Sequence, residues 1–461
     1  MKKIFFVITH FNFWAPIEPV AREYIEKGHE VRLLIDRQKN RKFEGRYSFG
    51  ICPPYQIGNA KSRSDGLQLI LHPLRELISF IAYLKFRQPT SPVLVKRWMS
   101  YIPFIFRWIA RTERGARWLA SDGVWRFLRK WEAAIPTDWG IRKQLRKWQP
   151  DVLVAASAIL PYSKETDYLK AAGQLKIPTV LIVPSWDNLT TKGTLHVIPD
   201  WVFVWNRGQV KEAVDLHFVP EERTFCTGAP KFDPWFEIQP TVDRDTFCSR
   251  ARLAPNKPYV LYVCSSEFIA GDETDLVNQI ARAMKEHPIL KDLSLLVRPH
   301  PQNMAPWTRS NLMEDNIVVW SGDLEKMNAK DTMMDFYHSL FYSIAVIGVN
   351  TSAFIEAAIV DKPCIAISAD RYTYTQMGIP HFHHLVDADF LEIPQNLDEL
   401  MPILSGILRG EDRKKENRYR FVKNFVRPQG IDVSATEILA RAIENVANGK
   451  RPDFSSEEDR R

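Results

Sequence analysis

The stretch YSIAVIGVNTSAFIEAA, Tyr342 to Ala358, decides the fold. Five of its first eight residues are β-branched or aromatic, and the run has the length of a buried parallel strand. Polar Asn350, Thr351 and Ser352 follow at once, and AFIEAAIV then repeats at helical spacing. Ser352 sits where a helix N-cap belongs, and Glu356 falls in the opening turns. Lys362 and Pro363 end the helix before a second apolar run, CIAIS. A strand–turn–helix–strand unit opens its helix at the carboxyl end of a parallel sheet. Such a place suits an anion such as a phosphate, although an ordinary βαβ unit explains the same pattern.

Working outward, the same alternation runs through both halves of the 461 residues, a length that suggests two domains. KIFFVI (Lys3–Ile8), a helix ending at Gly28 and VRLLID (Val31–Asp36) open a Rossmann-like domain that lacks GxGxxG. PDVLVAAS, IPTVLIVPS and WVFVWN continue it as strands, and RTFCTGAPKFDPW closes it. Pro234, Pro240, Pro255 and Pro258 mark a connecting stretch. The alternation then restarts with PYVLYVCSS and LSLLVRPHP. The expected class is therefore α/β, with two Rossmann-like domains facing across a cleft. The expected boundaries are 1–235, 236–425, a C-terminal helix over 426–449 and a disordered tail over 450–461.

The charge is unevenly placed. The chain carries +7 in total, yet residues 61–150 hold 18 Lys and Arg against 6 Asp and Glu. Within this segment Trp98, Trp108, Trp118, Trp125 and Trp131 interleave with Arg97, Arg107, Arg111, Arg114, Arg117, Arg126, Arg129 and Lys130. The spacing predicts amphipathic helices inserted in the first domain. They serve either an anionic membrane surface through residues 97–130 or a helical subdomain shaping a pocket or an interface. No nucleic-acid-binding module accompanies the charge, so nucleic acid is not expected as a partner.

Five scattered cysteines without a CxxC pair suggest reduced thiols in the cytosol rather than disulfides or zinc. MKKIFFVITHFNF has no small-residue cleavage site, so no signal peptide is expected. No stretch reaches 18 uncharged apolar residues, so no membrane span is expected. The absence of GxSxG, HExxH and Walker A patterns removes the common hydrolase and P-loop classes.

Polar clusters fall where strands end, the ligand edge of a parallel sheet. RPHP offers Arg298 and His300 to phosphate oxygens. CSSEF offers Ser265 and Ser266, and the opening unit offers Asn350, Thr351, Ser352 and Glu356, the last to a ribose diol. If they converge they form one nucleotide mono- or diphosphate site that requires no metal. SWDN supplies Asp187 as candidate general base, with His10 at the tip of the first strand as the alternative. Trp186, Asn188 and Lys192 are the candidate acceptor contacts.

KGHEV, RPHP and NTSAFIEAAIVDKPCIAI together resemble GT-B nucleotide-sugar glycosyltransferases. More narrowly, they resemble the bacterial envelope-polysaccharide group containing CDP-glycerol glycerophosphotransferase-like enzymes and the HP-motif sialyl- and Kdo-transferases. SWDNLTTKG and FVRPQGIDVSATEIL are similar to stretches of bacterial proteins of that type. The likeness is strongest over Ser185–Asp233 and Pro258–Ile443, and residues 61–150 take no part in it. It implies a GT-B fold with the donor site mainly in the second domain and a C-terminal helix crossing back onto the first. It makes His300 the phosphate contact of the HP motif, Thr351 and Ser352 the phosphate-holding hydroxyls, and Glu356 the acidic residue after that turn. The acidic-acidic-Gly motif that supplies the base in HP-motif sialyltransferases is missing, so the base stays open.

The expected function is a metal-independent glycosyl or glycerophosphoryl transferase without a cofactor. It would act in the cytoplasm, with a peripheral place at the inner face of the membrane, on a nucleotide-sugar or CDP-glycerol-type donor and a glycan or lipid-linked acceptor. A non-hydrolysing UDP-sugar 2-epimerase on the same two-domain plan is the alternative. A non-catalytic glycan- or nucleotide-binding protein at the membrane surface is the third reading.

Overall fold

The computed structural model describes residues 1–14, 16–36, 40, 56–86, 91–309, 312–320 and 329–452. Cys52 and most of the expected tail, from residue 453 on, lie outside the described residues. Near-continuous Val, Ile, Leu and Phe runs can be buried on both faces only if helices cover both sides, and the chain builds two such sheets. The first joins β1 (Lys3–Val7), β2 (Glu30–Ile35), β3 (Gln56–Asn59), β4 (Val152–Ala155), β5 (Thr179–Ile182), β6 (Trp201–Val204) and β7 (Thr224–Cys226). All its pairs are parallel and its order is β3-β2-β1-β4-β5-β6-β7.

The second joins β8 (Tyr259–Val263), β9 (Ser294–Arg298), β10 (Ile317–Val319), β11 (Val346–Gly348), β12 (Cys364–Ala366) and β13 (Leu391–Glu392). It too is wholly parallel, in the order β10-β9-β8-β11-β12-β13. In both sheets the winding reverses beside the first strand, at β1/β4 and at β8/β11. These are the topological switch points where doubly wound sheets open a crevice.

The chain divides into two compact units. One is Met1–Asp233 with the segment from Asn424, and the other is Pro234–Lys423. In the first unit, the helix Ala435–Ala447 packs Leu439, Ile443 and Val446 into the core that also holds Ile4, Phe6 and Tyr24. Asp233 fastens this return. Its carboxylate accepts from Arg427 Nη2 at 2.8 Å, Ser434 Oγ at 2.9 Å and the Thr436 amide at 2.7 Å. The opposite sheet face is covered by helices that include Trp139–Trp148 and Glu165–Gln174.

The basic segment folds as helices Gln68–Phe86, Pro92–Met99, Phe104–Ala110, Glu113–Leu119 and Asp122–Ala134. Its tryptophans part company: Trp98 and Trp125 are buried, whereas Trp108, Trp118 and Trp131 are exposed. A buried charge cluster holds these helices to the sheet layer. Arg75 Nη2 lies 2.8 Å from Glu132 Oε1 and 2.9 Å from Asp167 Oδ1, and Arg63 Nη1 lies 3.2 Å from that same Asp167 oxygen. No helix among the described residues is long and apolar enough to cross a membrane.

Candidate nucleotide site

The second unit carries a cavity of about 350 Å³ at the tips of β8, β9 and β11, beside its switch point. Val263 and Cys264 come from the end of β8 and Arg298 to Pro301 from the end of β9. Thr351, Ser352, Ala353 and Glu356 come from the turn and helix after β11. Met304, Trp320, Met333 and Phe336 make an apolar wall, joined by Thr332. Five of the sequence-derived donor residues are thereby brought together: Arg298, His300, Thr351, Ser352 and Glu356.

Local chemistry explains how the turn is held. Gly348 ends β11 because a Cβ there would lie 2.9 Å from the Val263 carbonyl and 3.2 Å from Thr351 Cγ2. The strand tips therefore approach more closely than any other residue permits. Ser352 occupies the N-cap position of the helix Ala353–Ile359, but its hydroxyl makes no cap hydrogen bond. Thr351 Oγ1 accepts from the Ala353 amide instead, at 3.2 Å. That helix is only seven residues long, so an anion here would depend on side chains more than on a helix dipole.

His300 is half-buried, and burial pulls its imidazole below the usual histidine range. Its Nδ1 accepts from the Gln302 amide at 3.1 Å, so the neutral ring carries its proton on Nε2 and is a donor through that atom. Arg298 is almost wholly buried, and desolvation pulls its guanidinium down despite a carboxylate partner. Nη1 donates to Asp335 Oδ2 at 2.6 Å and to Ser339 Oγ at 2.7 Å, and the group lies 4.1 Å from the Trp320 ring centre. Among the described residues all of its hydrogen bonds leave from Nη1. The sequence expectation was a guanidinium aimed at phosphate, but part of that charge is already matched by Asp335.

The remaining donor residues serve the framework. Ser265 is buried, with its amide on Glu273 Oε2 at 2.7 Å. Asn350 is buried, with Nδ2 donating to the Thr375 carbonyl at 2.9 Å. Neither Ser265, Ser266 nor Asn350 lines the cavity. Sequence reading passed over Glu273, which gathers the tip of β8. It accepts from the Tyr262 hydroxyl at 2.9 Å as well as from Ser265, and burial pushes it up to about 7. Glu165 does the same in the first unit, accepting from the amides of Thr9, Ala156 and Ser157 at 2.7, 2.9 and 2.6 Å. Burial raises it too. A glutamate opening the helix after a strand was the available signal in both places.

In the first unit, Asp187 is ringed by donors. Ser185 Oγ lies 2.6 Å away, Thr191 Oγ1 3.0 Å, Lys192 Nζ 3.0 Å and Asn188 Nδ2 3.3 Å. Trp186 and Asn188 are buried, and Asn188 Oδ1 is a buried acceptor with no hydrogen-bond partner among the described residues. His10 is half-buried immediately before the short turn Phe11–Phe13. The candidate base and acceptor contacts thus belong to the first unit, and the cavity lined by the candidate donor residues to the second. No group of His, Cys, Asp or Glu suited to a metal ion occurs among the described residues.

No family model matches the chain, and no curated protein matches it. Solved structures do. The S. aureus MnaA–UDP co-structure is 13% identical with a TM-score of 0.52, over 99% of this chain and 100% of that one. The Neisseria meningitidis UDP-GlcNAc 2-epimerase bound to UDP-GlcNAc is 12% identical with a TM-score of 0.52, over 96% of this chain and 100% of that one. A glycosyltransferase from Rickettsia africae ESF-5 is 11% identical with a TM-score of 0.50, over 97% and 98%. At such identities the likeness establishes the fold, two Rossmann-like α/β domains of the GT-B type.

Proposed function

We propose that this chain acts on a nucleotide-activated sugar, and that the cavity at the β8/β11 switch point takes the nucleotide and its phosphates. What supports the reading is the joint lining of that cavity by His300, Thr351, Ser352 and Glu356 around Arg298, against an apolar wall suited to a nucleobase. In the transfer reaction an acceptor hydroxyl attacks the activated carbon of the donor, or its phosphorus for a glycerophosphoryl donor. The bond to the leaving phosphate oxygen breaks as the new bond forms. His300 Nε2–H and the Thr351 and Ser352 hydroxyls donate to the oxygen on which charge grows, and Glu356 accepts from the ribose. Asp187 or His10 takes the acceptor's proton, with Trp186, Asn188 and Lys192 as acceptor contacts. The acceptor is a glycan or a lipid-linked glycan, and the work is done in the cytoplasm, where activated sugars are made.

Epimerisation of a UDP-sugar is a second reading, favoured by the likeness to solved UDP-GlcNAc 2-epimerases over nearly the whole chain. Inverting a carbon needs a proton removed from one face and delivered to the other, hence more than one acid–base group near the sugar. Incubation with UDP-GlcNAc, with and without glycan or lipid acceptors, separates the two. Acceptor-dependent release of UDP supports transfer, and a 2-epimer formed without acceptor supports epimerisation. Failure of UDP, CDP, GDP, UMP and CMP to raise the melting temperature would remove both.

A further inference from the structure

We infer that the helices Phe104–Ala110, Glu113–Leu119 and Asp122–Ala134 form a docking face for an anionic lipid bilayer. The first of them, FIFRWIA, buries none of its seven residues. Phe104 is 73% exposed, Ile105 59% and Trp108 65%, although apolar side chains of this size normally seek cover. Trp118 on the second helix and Phe127 and Trp131 on the third are exposed as well, the last two with ring centres 6.3 Å apart. Every tryptophan that the fold leaves exposed lies between residues 108 and 139.

This exposure is not looseness. The first helix packs on the second so closely that a Cβ at Gly115 would meet the Ile109 carbonyl. Thr112 and Ser121 cap the second and third helices with their side chains. Leu119, Trp125 and Leu128 face inward, and Glu132 of the third helix is buried against Arg75. The fold therefore holds an apolar surface outward on fixed helices.

The charge selects the occupant. Residues 97–130 contain eight Lys and Arg against two Asp and Glu, and Arg111, Arg114, Arg117, Arg126 and Lys130 are exposed among the apolar side chains. A second copy docking by the same face would set +6 against +6. Nucleic acid would use the arginines but leave Phe104, Ile105 and Phe127 in water. A bilayer interface with anionic headgroups takes both, with aromatic and aliphatic side chains at the acyl boundary and arginines among the phosphates. The inference stands apart from the nucleotide reading, because the residues involved lie in the other unit.

The test is flotation of the full chain with vesicles of phosphatidylcholine alone and of phosphatidylcholine with phosphatidylglycerol. It compares wild type, Phe104→Ser/Ile105→Ser/Trp108→Ser and Arg111→Glu/Arg114→Glu/Arg117→Glu. Melting temperature and UDP binding serve as controls that both variants should leave unchanged. The wild type should float with anionic vesicles, less so in high salt, with a blue shift of tryptophan emission. Each removed cation near the surface should weaken partitioning by roughly fivefold, and the serine variant should lose the emission shift. Wild type remaining unbound, either folded variant floating as well as wild type, or wild type self-associating through this face would overturn the inference.

Discussion

Arg298 and Asp335 form a buried ion pair, Nη1 to Oδ2 2.6 Å, at the wall of the cavity that we assign to the nucleotide. The pair fixes the guanidinium between Trp320 and Phe336, whose ring centres lie 4.1 and 5.3 Å away. Removing one partner strands the other as an uncompensated buried charge. Asp335→Ala should therefore destabilise the second unit by about 3–5 kcal/mol, whereas Asp335→Asn should cost less, since it keeps an acceptor for Nη1. Denaturant titration of both variants checks this. Equal losses would mean that the charge on Asp335 is not what holds Arg298.

Glu273 gives a pH dependence with a defined sign. Burial raises its carboxyl from 4.5 to about 7, so the folded state binds its proton more tightly than the unfolded chain does. Its contribution is thus fully present below about pH 4.5 and is lost as pH rises through about 7, by up to roughly 3 kcal/mol. Glu273→Gln mimics the neutral form. Relative to wild type, the variant should gain stability between pH 6 and 8 and show a flatter melting profile there. A variant that tracks wild type across that range would contradict the assignment.

Gly348 predicts a coupling between backbone space and ligand. A methyl group there must displace the Val263 carbonyl or Thr351. Gly348→Ala should cost about 1–3 kcal/mol in stability and weaken UDP binding, because Thr351 moves with the turn. Calorimetric titration of the folded variant measures the second effect. Unchanged affinity would separate Thr351 from the site.

Much of the architecture was legible because buried parallel strands leave near-continuous apolar runs. Val260, Leu295 and Ile347 lie in such runs and pack into one core. β3 (Gln56–Asn59) and β13 (Leu391–Glu392) escaped notice because edge strands this short carry no apolar run. Strand-tip polarity led to His300, Thr351, Ser352 and Glu356, but it led equally to Ser265 and Asn350. Only packing distinguishes a hydroxyl facing a cavity from one held beneath it. Thr332, Met333 and Phe336 share a helix face at three- and four-residue spacing, yet nothing in that spacing says which surface they meet. The basic segment showed its helices and its charge. Which tryptophans stayed outside depended on tertiary contacts such as that between Arg75 and Glu132.

The central claim is that one cavity in the second unit takes the phosphates of an activated sugar, and it is tested most directly by calorimetric titration of UDP into the wild-type chain and into Thr351→Val. A hydrogen bond to a charged phosphate contributes about 1.5–3 kcal/mol, so the variant should bind about tenfold or more weakly, while loss of the hydrogen bond to the Ala353 amide costs it about 1 kcal/mol of stability and leaves it folded. Equal dissociation constants for the two proteins, or no heat of binding in either from UDP, CDP, GDP, UMP or CMP, would contradict it.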